Sequence, residues 1–261
     1  MPNNSPTHHP YPDCPLVVAY GLGVDSTAML VEFARRGVRP DLILFADTGG
    51  EKPETYAYLG VIRPFLARAG FPDVVVVRYQ PKWAAYHTLE GQCLHTGTLP
   101  SLTYGGSSCA VKFKREPQDK YVLGWPPARQ CWSAGGKVVK AIGFDAGPAD
   151  LRRHRFVEDE RFRYWYPLVQ WGYDRQRCQE IIAGAGLPVP MKSACFYCPA
   201  SKKREIVWLA EHHPDLLERA LAIERNAQAK LTSVKGLGRS FAWESFLSGR
   251  LELPLFPDCD C

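Results

Sequence analysis

The chain has 261 residues, of which 46% are hydrophobic, and its formal net charge is +5. This length suits one large domain or one domain with a smaller addition, and the hydrophobic share excludes general disorder. No run of about 18 apolar residues is present, so we expect neither a membrane-spanning helix nor a membrane partner. Residues 1–15 lack the basic and apolar regions of a secretory signal, so we expect a flexible leader and a cytoplasmic protein.

Strand and helix patterns alternate through most of the sequence. Short apolar runs predict strands at 16–20, 41–47, 74–79 and 137–144. Helical patterns predict helices at 26–36, with Asp25 as N-cap and Gly37 as the stop, at 54–70, with a kink or break at Pro64, and near 175–185. This alternation predicts an α/β domain at 16–190, with a parallel sheet and helices on both faces. We expect a cysteine knuckle and helical portion at 191–250, and a tail at 251–261.

The segment GLGVDST, residues 21–27, joins the first predicted strand to the first predicted helix. Gly21 and Gly23 allow backbone N–H groups to approach a phosphate, and the start of the helix adds a partial positive charge. Ser26 and Thr27 add hydroxyl donors. The segment lacks the lysine of a Walker A loop and the third glycine of the dinucleotide fingerprint, although Asp47 ends the second strand where a ribose ligand is expected.

Four ordered segments resemble the phosphoadenosine phosphosulfate (PAPS) reductase family of the adenine nucleotide α-hydrolase superfamily. They are GLGVDST at 21–27, FADTGGEKPETYAYL at 45–59, CAVKFKREP at 109–117 and YPLVQWGYD at 166–174. The resemblance spans about residues 16–200 and implies an adenine-nucleotide-binding α/β fold. It implies nucleotide contacts from Gly21, Leu22, Gly23, Val24, Asp25, Ser26, Thr27, Asp47, Thr48, Gly49, Gly143 and Arg152. It implies catalytic roles for Asp25, Ser26, Cys109 and Lys114.

The chain departs from that family at several positions. Leu22 replaces a loop glycine and Val24 replaces a frequent lysine. Asp145 stands where the sulfonucleotide reductases carry an arginine, and Ala149 stands where they carry a serine. An aspartate repels phosphate or sulfate unless a cation intervenes, whereas Mg²⁺ binds carboxylates well. The departures therefore favour ATP with Mg²⁺ over PAPS, with Asp25 or Asp47 placing the metal.

Nine cysteines in a chain without an export signal favour thiols, metal binding or catalysis over disulfides. Cys195 and Cys198 form a C-x-x-C pair, which suits zinc, an iron–sulfur cluster or a redox dithiol. Iron–sulfur adenylylsulfate reductases are similar in placing a Cys-Cys pair upstream of such a motif. Here Cys109 is present, but Ala110 replaces its neighbour.

Three alternatives for these thiols remain open. Cys109, Cys195 and Cys198 hold a [4Fe–4S] cluster with one open iron that carries sulfide, or a tail thiol, Cys259 or Cys261, supplies a fourth ligand. In the third alternative the knuckle is a zinc site or a set of reduced thiols. We expect the isolated cysteines to be packing residues: Cys14, Cys93, Cys131 and Cys178.

Basic residues are clustered at 152–155, 161–163 and 202–204, which suits either nucleic acid contact or solvated faces. The cations of the 109–117 motif, Lys112, Lys114 and Arg115, are phosphate contacts or an exposed helix face. Segment 234–243, VKGLGRSFAW, combines basic, glycine and aromatic residues and is either a nucleic-acid loop or the turn before the last helix.

Three functions follow from the residues and the resemblance. In the first, the chain cleaves ATP to AMP and pyrophosphate and transfers sulfur, with DNA or tRNA as acceptor and a donor such as a cysteine desulfurase. In the second, it reduces adenylylsulfate or PAPS to sulfite, with thioredoxin as partner. In the third, it is a non-catalytic nucleotide-binding subunit.

Overall fold

The computed structural model describes residues 9–152 and 158–251. The basic cluster at 152–155 is therefore described only at Arg152, and the tail thiols Cys259 and Cys261 lie outside the described residues. Across the described ranges, no helix combines the length and the apolar character needed to cross a membrane.

The described strands form one five-stranded parallel sheet in the order β3–β2–β1–β4–β5. The strands are β1 (Leu16–Tyr20), β2 (Leu42–Asp47), β3 (Val74–Arg78), β4 (Val138–Ile142) and β5 (Phe162–Trp165). Val17 of β1 pairs with Leu42 of β2, and Leu16 pairs with Val139 of β4. The four predicted strands are confirmed within one or two residues at their ends. The short edge strand β5 was not predicted.

The described helices surround this sheet and form a helical C-terminal part. They are α1 (Val24–Arg36), α2 (Pro53–Arg68), α3 (Leu89–Thr96), α4 (Ser108–Ala110), α5 (Glu116–Gly124), α6 (Pro126–Ser133), α7 (Pro148–Leu151), α8 (Pro167–Gln170), α9 (Arg175–Gly184), α10 (Lys203–His212), α11 (Pro214–Ala227) and α12 (Trp243–Leu251). Short 3₁₀ turns lie at Ser101–Tyr104 and Gln228–Lys230, and a π-helical turn lies at Val111–Arg115.

Helix α1 begins earlier than the sequence predicts. Its N-cap is Gly23, whose backbone is extended, so the prediction of Asp25 as N-cap was wrong and Asp25 lies in the first turn. The predicted stop is confirmed, because Gly37 has a φ of 70° and ends the helix in the left-handed conformation. Helix α2 continues past Pro64 to Arg68, so the chain is not broken at that proline.

The chain divides into two compact units. The first unit contains the described residues up to Asp47, Glu51–Val77 and Arg115–Ser193; the second contains Thr48–Gly50, Arg78–Lys114 and the described residues from Ala194 onward. In this division, residues 78–114 are grouped with the C-terminal helices, and the predicted domain boundaries at 16–190 and 191–250 remain predictions.

The first unit contains the sheet and has an apolar cluster on each of its faces. Leu16, Val18 and Tyr20 of β1 pack in one cluster, and Val17 packs in the other. Because successive side chains of a strand point to opposite faces, this arrangement explains the continuous apolar run of β1.

The end of β4 packs closely against the start of α1. A Cβ atom at Gly143 would lie 2.8 Å from both the Cα and the backbone N of Ser26, and 3.1 Å from the carbonyl carbon of Asp25. These atoms belong to backbone that a side chain cannot displace cheaply. Glycine at 143 is therefore required for this approach.

We expect Gly143→Ala to lower the free energy of unfolding by about 1–3 kcal/mol, because the added methyl group overpacks the contact with α1. The matched control is Gly60→Ala on α2, where a Cβ meets no atom within 4 Å. That change should raise stability by about 0.5–1 kcal/mol, because it removes the backbone entropy of a mid-helix glycine. Denaturant unfolding of both variants measures the difference, and equal effects would refute the packing argument.

In the second unit, the buried carboxylate of Glu224 on α11 holds the segment that leads into α12. Its Oε2 accepts hydrogen bonds from the backbone N of Leu237 at 2.7 Å and of Trp243 at 3.0 Å. Its Oε1 accepts from the backbone N of Glu244 at 3.0 Å. Segment 234–243 therefore includes the turn before the last described helix, which is one of its two predicted roles.

We expect Glu224→Ala to destabilise the protein by about 3 kcal/mol or more, because three backbone donors lose a charged acceptor. Glu218→Ala, on the same helix, removes an exposed ion pair with Arg225. That control should change stability by less than about 0.5 kcal/mol. Thermal and denaturant unfolding monitor both, and a Glu224→Ala variant as stable as the control would contradict the assignment.

Candidate functional site

The loop after β1 is closed by its own hydroxyl groups. The backbone N of Gly21 donates to Ser26 Oγ at 3.2 Å, and that hydroxyl donates to the carbonyl of Gly23 at 3.4 Å. The Thr27 hydroxyl lies 3.1 Å from the Tyr20 hydroxyl, and both side chains are buried. Ser26 and Thr27, predicted as ligand contacts, therefore also maintain the loop and anchor it to β1.

A distant residue also supports this loop. Ser193 Oγ donates to the carbonyl of Gly21 at 2.5 Å and lies 3.4 Å from Glu51 Oε2. Nothing in the local sequence of Ser193 resembles a nucleotide motif, so the sequence analysis did not single it out.

Leu22, which replaces a glycine of the resembled loop, adopts the left-handed conformation with a φ of 57°. Its side chain is fully buried in the apolar cluster that contains β1 and α1. A non-glycine residue in this conformation costs about 1–2 kcal/mol. Burial of its side chain offsets that cost, so the loop keeps a glycine-type backbone without the glycine.

We expect Leu22→Val to destabilise the protein more than Leu44→Val, which is equally buried in β2. Each change removes one methylene, which is worth about 1 kcal/mol. Only the change at 22 also forces a β-branched residue into the left-handed region, and this should add about 1–2 kcal/mol. Denaturant midpoints compare the stabilities of the two variants. Equal losses of stability would show that the left-handed conformation at position 22 adds no cost for a β-branched residue.

Three carboxylates of the first unit come together at the carboxyl end of the sheet. Asp25 lies in the first turn of α1, Asp145 follows β4, and Asp150 lies on α7; one oxygen from each lies within 4.8 Å of the other two. We call Asp25, Asp145 and Asp150 the acidic trio. Among the described residues, this is the one group of three potential ligands that meets this distance criterion.

Hydrogen bonds fix the loop that carries two members of the acidic trio. The backbone N of Asp145 donates to Asp150 Oδ2 at 3.2 Å, and the backbone N of Gly147 donates to Asp145 Oδ1 at 2.8 Å. Asp145 was named from the sequence, but Asp150 was not. Asp150 lies only five residues after Asp145 and accepts a hydrogen bond from its backbone, but nothing in the sequence pattern distinguished it as a ligand.

A cation already lies at the acidic trio. The Arg175 guanidinium lies 3.1 Å from Asp25 Oδ2 and 3.6 Å from Asp145 Oδ2. Its side chain is 52% exposed, whereas the two carboxylates are mostly buried. An anion near Asp145 needs an intervening cation, and Arg175 is a cation of the chain itself at this position.

The acidic trio lies at the point where the strand order of the sheet reverses. From β1 the chain proceeds outward to β2 and β3, and it then returns to place β4 on the other side of β1. The loops after β1 and β4 therefore diverge at this switch point. In open parallel sheets, such crevices at the carboxyl ends of the strands bind ligands.

Asp47, at the end of β2, is held by a tyrosine. The Tyr56 hydroxyl donates to Asp47 Oδ1 at 2.6 Å. Burial raises the pKa of Tyr56, and the Asp47 carboxylate raises this pKa further by stabilising the protonated phenol. Asp47 lies outside the acidic trio.

The remaining predicted nucleotide contacts occupy different environments. Val24 is the first residue of α1, and Arg152 is exposed at the end of α7. Thr48 and Gly49 belong to the second unit. There the Thr48 hydroxyl lies 3.2 Å from the sulfur of Cys195.

The three predicted thiols belong to the second unit and contact one apolar cluster. Cys195 is buried within the cluster, and Cys109 and Cys198 pack against it. The backbone N of Cys198 donates to the carbonyl of Cys195 at 2.9 Å, which closes the C-x-x-C turn. The backbone N of Cys109 donates to Ser101 Oγ at 2.9 Å. Hydrogen bonds therefore hold the backbone at each of the three cysteines.

Cys93, which we expected to be a packing residue, is buried in the same cluster. Burial raises the pKa of the Cys93 thiol to about 12, with further contributions from the nearby groups of Cys109 and Glu90. Tyr197 is also fully buried, and burial together with the nearby Cys195 and Cys93 raises its pKa well above the usual value.

The π-helical turn at Val111–Arg115 carries the cations of the third motif. Lys112 Nζ donates to the Tyr86 hydroxyl and to Gln92 Oε1, each at 2.8 Å, and it lies 4.7 Å from the centre of the Tyr86 ring. Lys112 is therefore engaged within the second unit. Lys114, the predicted catalytic lysine, is half-buried in the same turn.

The described basic clusters are partly neutralised by other side chains. Glu158 accepts hydrogen bonds from Arg163 and Lys137, and these cations lower the pKa of Glu158 to about 2. Lys203 lies 5.5 Å and 5.2 Å from the ring centres of Phe241 and Phe246. Arg163 and Lys203, one from each of these clusters, therefore make contacts within the protein in addition to carrying positive charge.

No protein-family model matches the chain, and a search of the curated proteins returns no match. The fold defines an α/β protein of Rossmann-like architecture with a helical C-terminal part.

Proposed function

We propose that the chain belongs to the PAPS reductase-like branch of the adenine nucleotide α-hydrolases and cleaves ATP to AMP and pyrophosphate. The observation that carries this proposal is the acidic trio at the switch point, next to the glycine loop and the first turn of α1. Carboxylate oxygens suit Mg²⁺, and a helix start with a glycine loop suits phosphates. Groups that suit Mg²⁺ and groups that suit phosphates therefore lie at one edge of the sheet, which supports the proposal.

The residues of the first unit have distinct tasks in this proposal. Backbone N–H groups of residues 22–26 bind the phosphates, and the acidic trio would hold Mg²⁺, which when bound neutralises charge that develops on the leaving pyrophosphate. Arg175 moves from the carboxylates toward the phosphates, which its half-exposed side chain allows. A substrate oxygen attacks the α-phosphorus, the bond to the bridging oxygen breaks, and pyrophosphate leaves with the electron pair.

The second part of the proposal assigns sulfur transfer to the thiols of the second unit. Cys109, Cys195 and Cys198 are soft ligands that suit iron–sulfur clusters or zinc. Sulfide supplied as such then attacks the activated atom of the acceptor; a bond to sulfur forms, the bond from that atom to the AMP oxygen breaks, and AMP leaves with the electron pair. The acceptor class that suits the basic clusters is nucleic acid, DNA or tRNA.

One observation favours a second candidate function, a nucleotide-binding subunit without chemistry. Arg175 occupies the acidic trio, and an ion cluster of this kind also serves structure alone. Sulfonucleotide reduction receives no such support, because the acidic trio repels a sulfate or phosphate group unless a metal intervenes.

The test is pyrophosphate release from MgATP under anaerobic conditions, with sulfide and either DNA or tRNA supplied. We expect Asp25→Asn and Asp150→Asn to reduce the rate by about a hundredfold or more, because each removes a metal ligand that acts in the transition state. Asp73→Asn, at an exposed carboxylate paired with Arg63, is the control and should retain the wild-type rate.

The outcomes separate the candidates. Wild-type rates in Asp25→Asn and Asp150→Asn would refute the assigned role of the acidic trio. Tight ATP binding by the wild type without pyrophosphate release from any mixture would favour the non-catalytic subunit. Sulfite release from PAPS or adenylylsulfate would establish the reductase instead.

A further inference from the structure

Two isolated cysteines of the first unit lie at the amino ends of its strands. Cys14 comes two residues before β1, and Cys131 lies near the end of α6, seven residues before β4. The acidic trio lies at the opposite, carboxyl ends of the strands. From the sequence we expected both cysteines to be packing residues, and the proposed chemistry uses neither of them.

Contacts on both sides of Cys14 fix its position at the start of β4. The carbonyl of Pro15 accepts a hydrogen bond from the backbone N of Val139 in β4 at 2.9 Å. On the other side, the guanidinium carbon of Arg163 in β5 lies 4.3 Å from the centre of the Tyr11 ring. The Tyr11 carbonyl in turn accepts from the backbone N of Cys14 at 3.1 Å. Because β4 lies between β1 and β5, the turn at 11–14 crosses the residues that enter β4.

Cys131 lies beside the same residues. The backbone N of Gly136 donates to the carbonyl of Cys131 at 2.9 Å, and a Cβ atom at Gly136 would lie 2.8 Å from Cys131 Sγ. The sulfur therefore lies against the chain two residues before β4. Trp132 Nε1 donates to the carbonyl of Arg161 at 2.8 Å, which fixes the end of α6 to the start of β5. The two cysteines thus approach one point from two segments that are far apart in sequence.

The electrostatics of Cys131 agree with this approach. Burial raises the pKa of Cys131, and the nearby Cys14 thiol raises it further. Both side chains are partly exposed, whereas Cys178, the third cysteine of the first unit, is buried. The pair is therefore open to a small reagent in solution, and Cys178 is not.

We propose that Cys14 and Cys131 are a redox modification site, which forms a reversible disulfide by exchange with a low-molecular-weight disulfide such as oxidised glutathione. The thiolate of one cysteine attacks a sulfur of the small disulfide, whose S–S bond breaks, and one small thiolate leaves with the electron pair. The second cysteine then attacks the protein sulfur of the mixed disulfide and expels the other small thiolate. The two cysteines are oxidised, the small disulfide is reduced, and two protons pass to the released thiols.

The disulfide would join the segment before β1 to α6 across the start of β4. It closes a loop of more than 100 residues, and such a closure restricts the unfolded chain more than the folded one. We therefore expect oxidation to stabilise the first unit. The inference rests neither on ATP cleavage nor on a metal in the second unit.

The test treats the full chain with oxidised glutathione, alkylates the remaining thiols under denaturing conditions, and digests the product with trypsin without reductant. Cys14 is the single cysteine of the tryptic peptide that ends at Arg35, and Cys131 is the single cysteine of peptide 130–137. We expect these two peptides to be linked, with a mass two hydrogens below their sum, and dithiothreitol should separate them. Cys178 is the internal control and should be found alkylated.

Thermal unfolding gives a second readout. Oxidation should raise the Tm of the wild type by about 5 °C or more. Cys14→Ser and Cys131→Ser should each lose at least half of that rise, measured against their own reduced forms. Cys178→Ser is the matched control, because it changes a buried thiol of the same unit outside the pair, and it should keep the rise.

Three results of the peptide analysis would each overturn the inference. They are glutathione that remains on Cys14 or Cys131 without a link between them, two thiols that both stay free, and a link from either one to a different cysteine. The peptides come from the wild type, so this result does not depend on whether a variant folds. Because no measurement involves ATP, failure here is distinguishable from failure of the proposed function.

Discussion

At the end of β4, the backbone of Gly143 lies against the first turn of α1, and the candidate site depends on that contact. The loops after β1 and β4 start from neighbouring strands and diverge. Because of this contact, side chains from the two loops nevertheless come close together. Asp25 starts from one loop and Asp145 from the other. A side chain at 143 would separate the two loops and with them the carboxylates. The geometry of the acidic trio is thus a consequence of backbone packing in the core of the first unit.

The strands and the first helix could be predicted because their signals are local. Apolar runs identify β1 to β4, and Gly37 identifies the end of α1. The predicted N-cap at Asp25 was wrong because an extended glycine can begin a helix without a side-chain cap. The edge strand β5, FRYW, was missed because it has only four residues and includes a charged one. The local sequence of such a strand does not indicate which other strand it pairs with.

Some residues of the candidate site could likewise be identified from the sequence, and others could not. The glycine loop and Asp145 could be identified from the chain alone, whereas Asp150 and Arg175 were not. Asp150 lies near Asp145 in sequence but outside any recognised motif, and Arg175 becomes relevant only through Asp25 and Asp145, which are far from it in sequence. Charge balance explains why Arg175 matters. Three carboxylates within 4.8 Å repel one another, so a cation must accompany them. Arg175 is that cation in this structure, and in the proposed MgATP site its exposure would make its exchange with Mg²⁺ and phosphate inexpensive in desolvation.

The thiols of the second unit raise a different energetic question, because their surroundings are apolar. Burial holds the pKa of Cys93 near 12, so this thiol remains protonated at neutral pH. Metal binding by Cys109, Cys195 and Cys198, as proposed, requires thiolates and would release their protons to solvent. The metal bonds would join the 109–117 segment to the C-x-x-C turn, and the thiols of both already contact one apolar cluster. Closing such long loops restricts the unfolded chain more than the folded one. On this argument the proposed cluster contributes to the stability of the second unit whether or not it takes part in sulfur transfer.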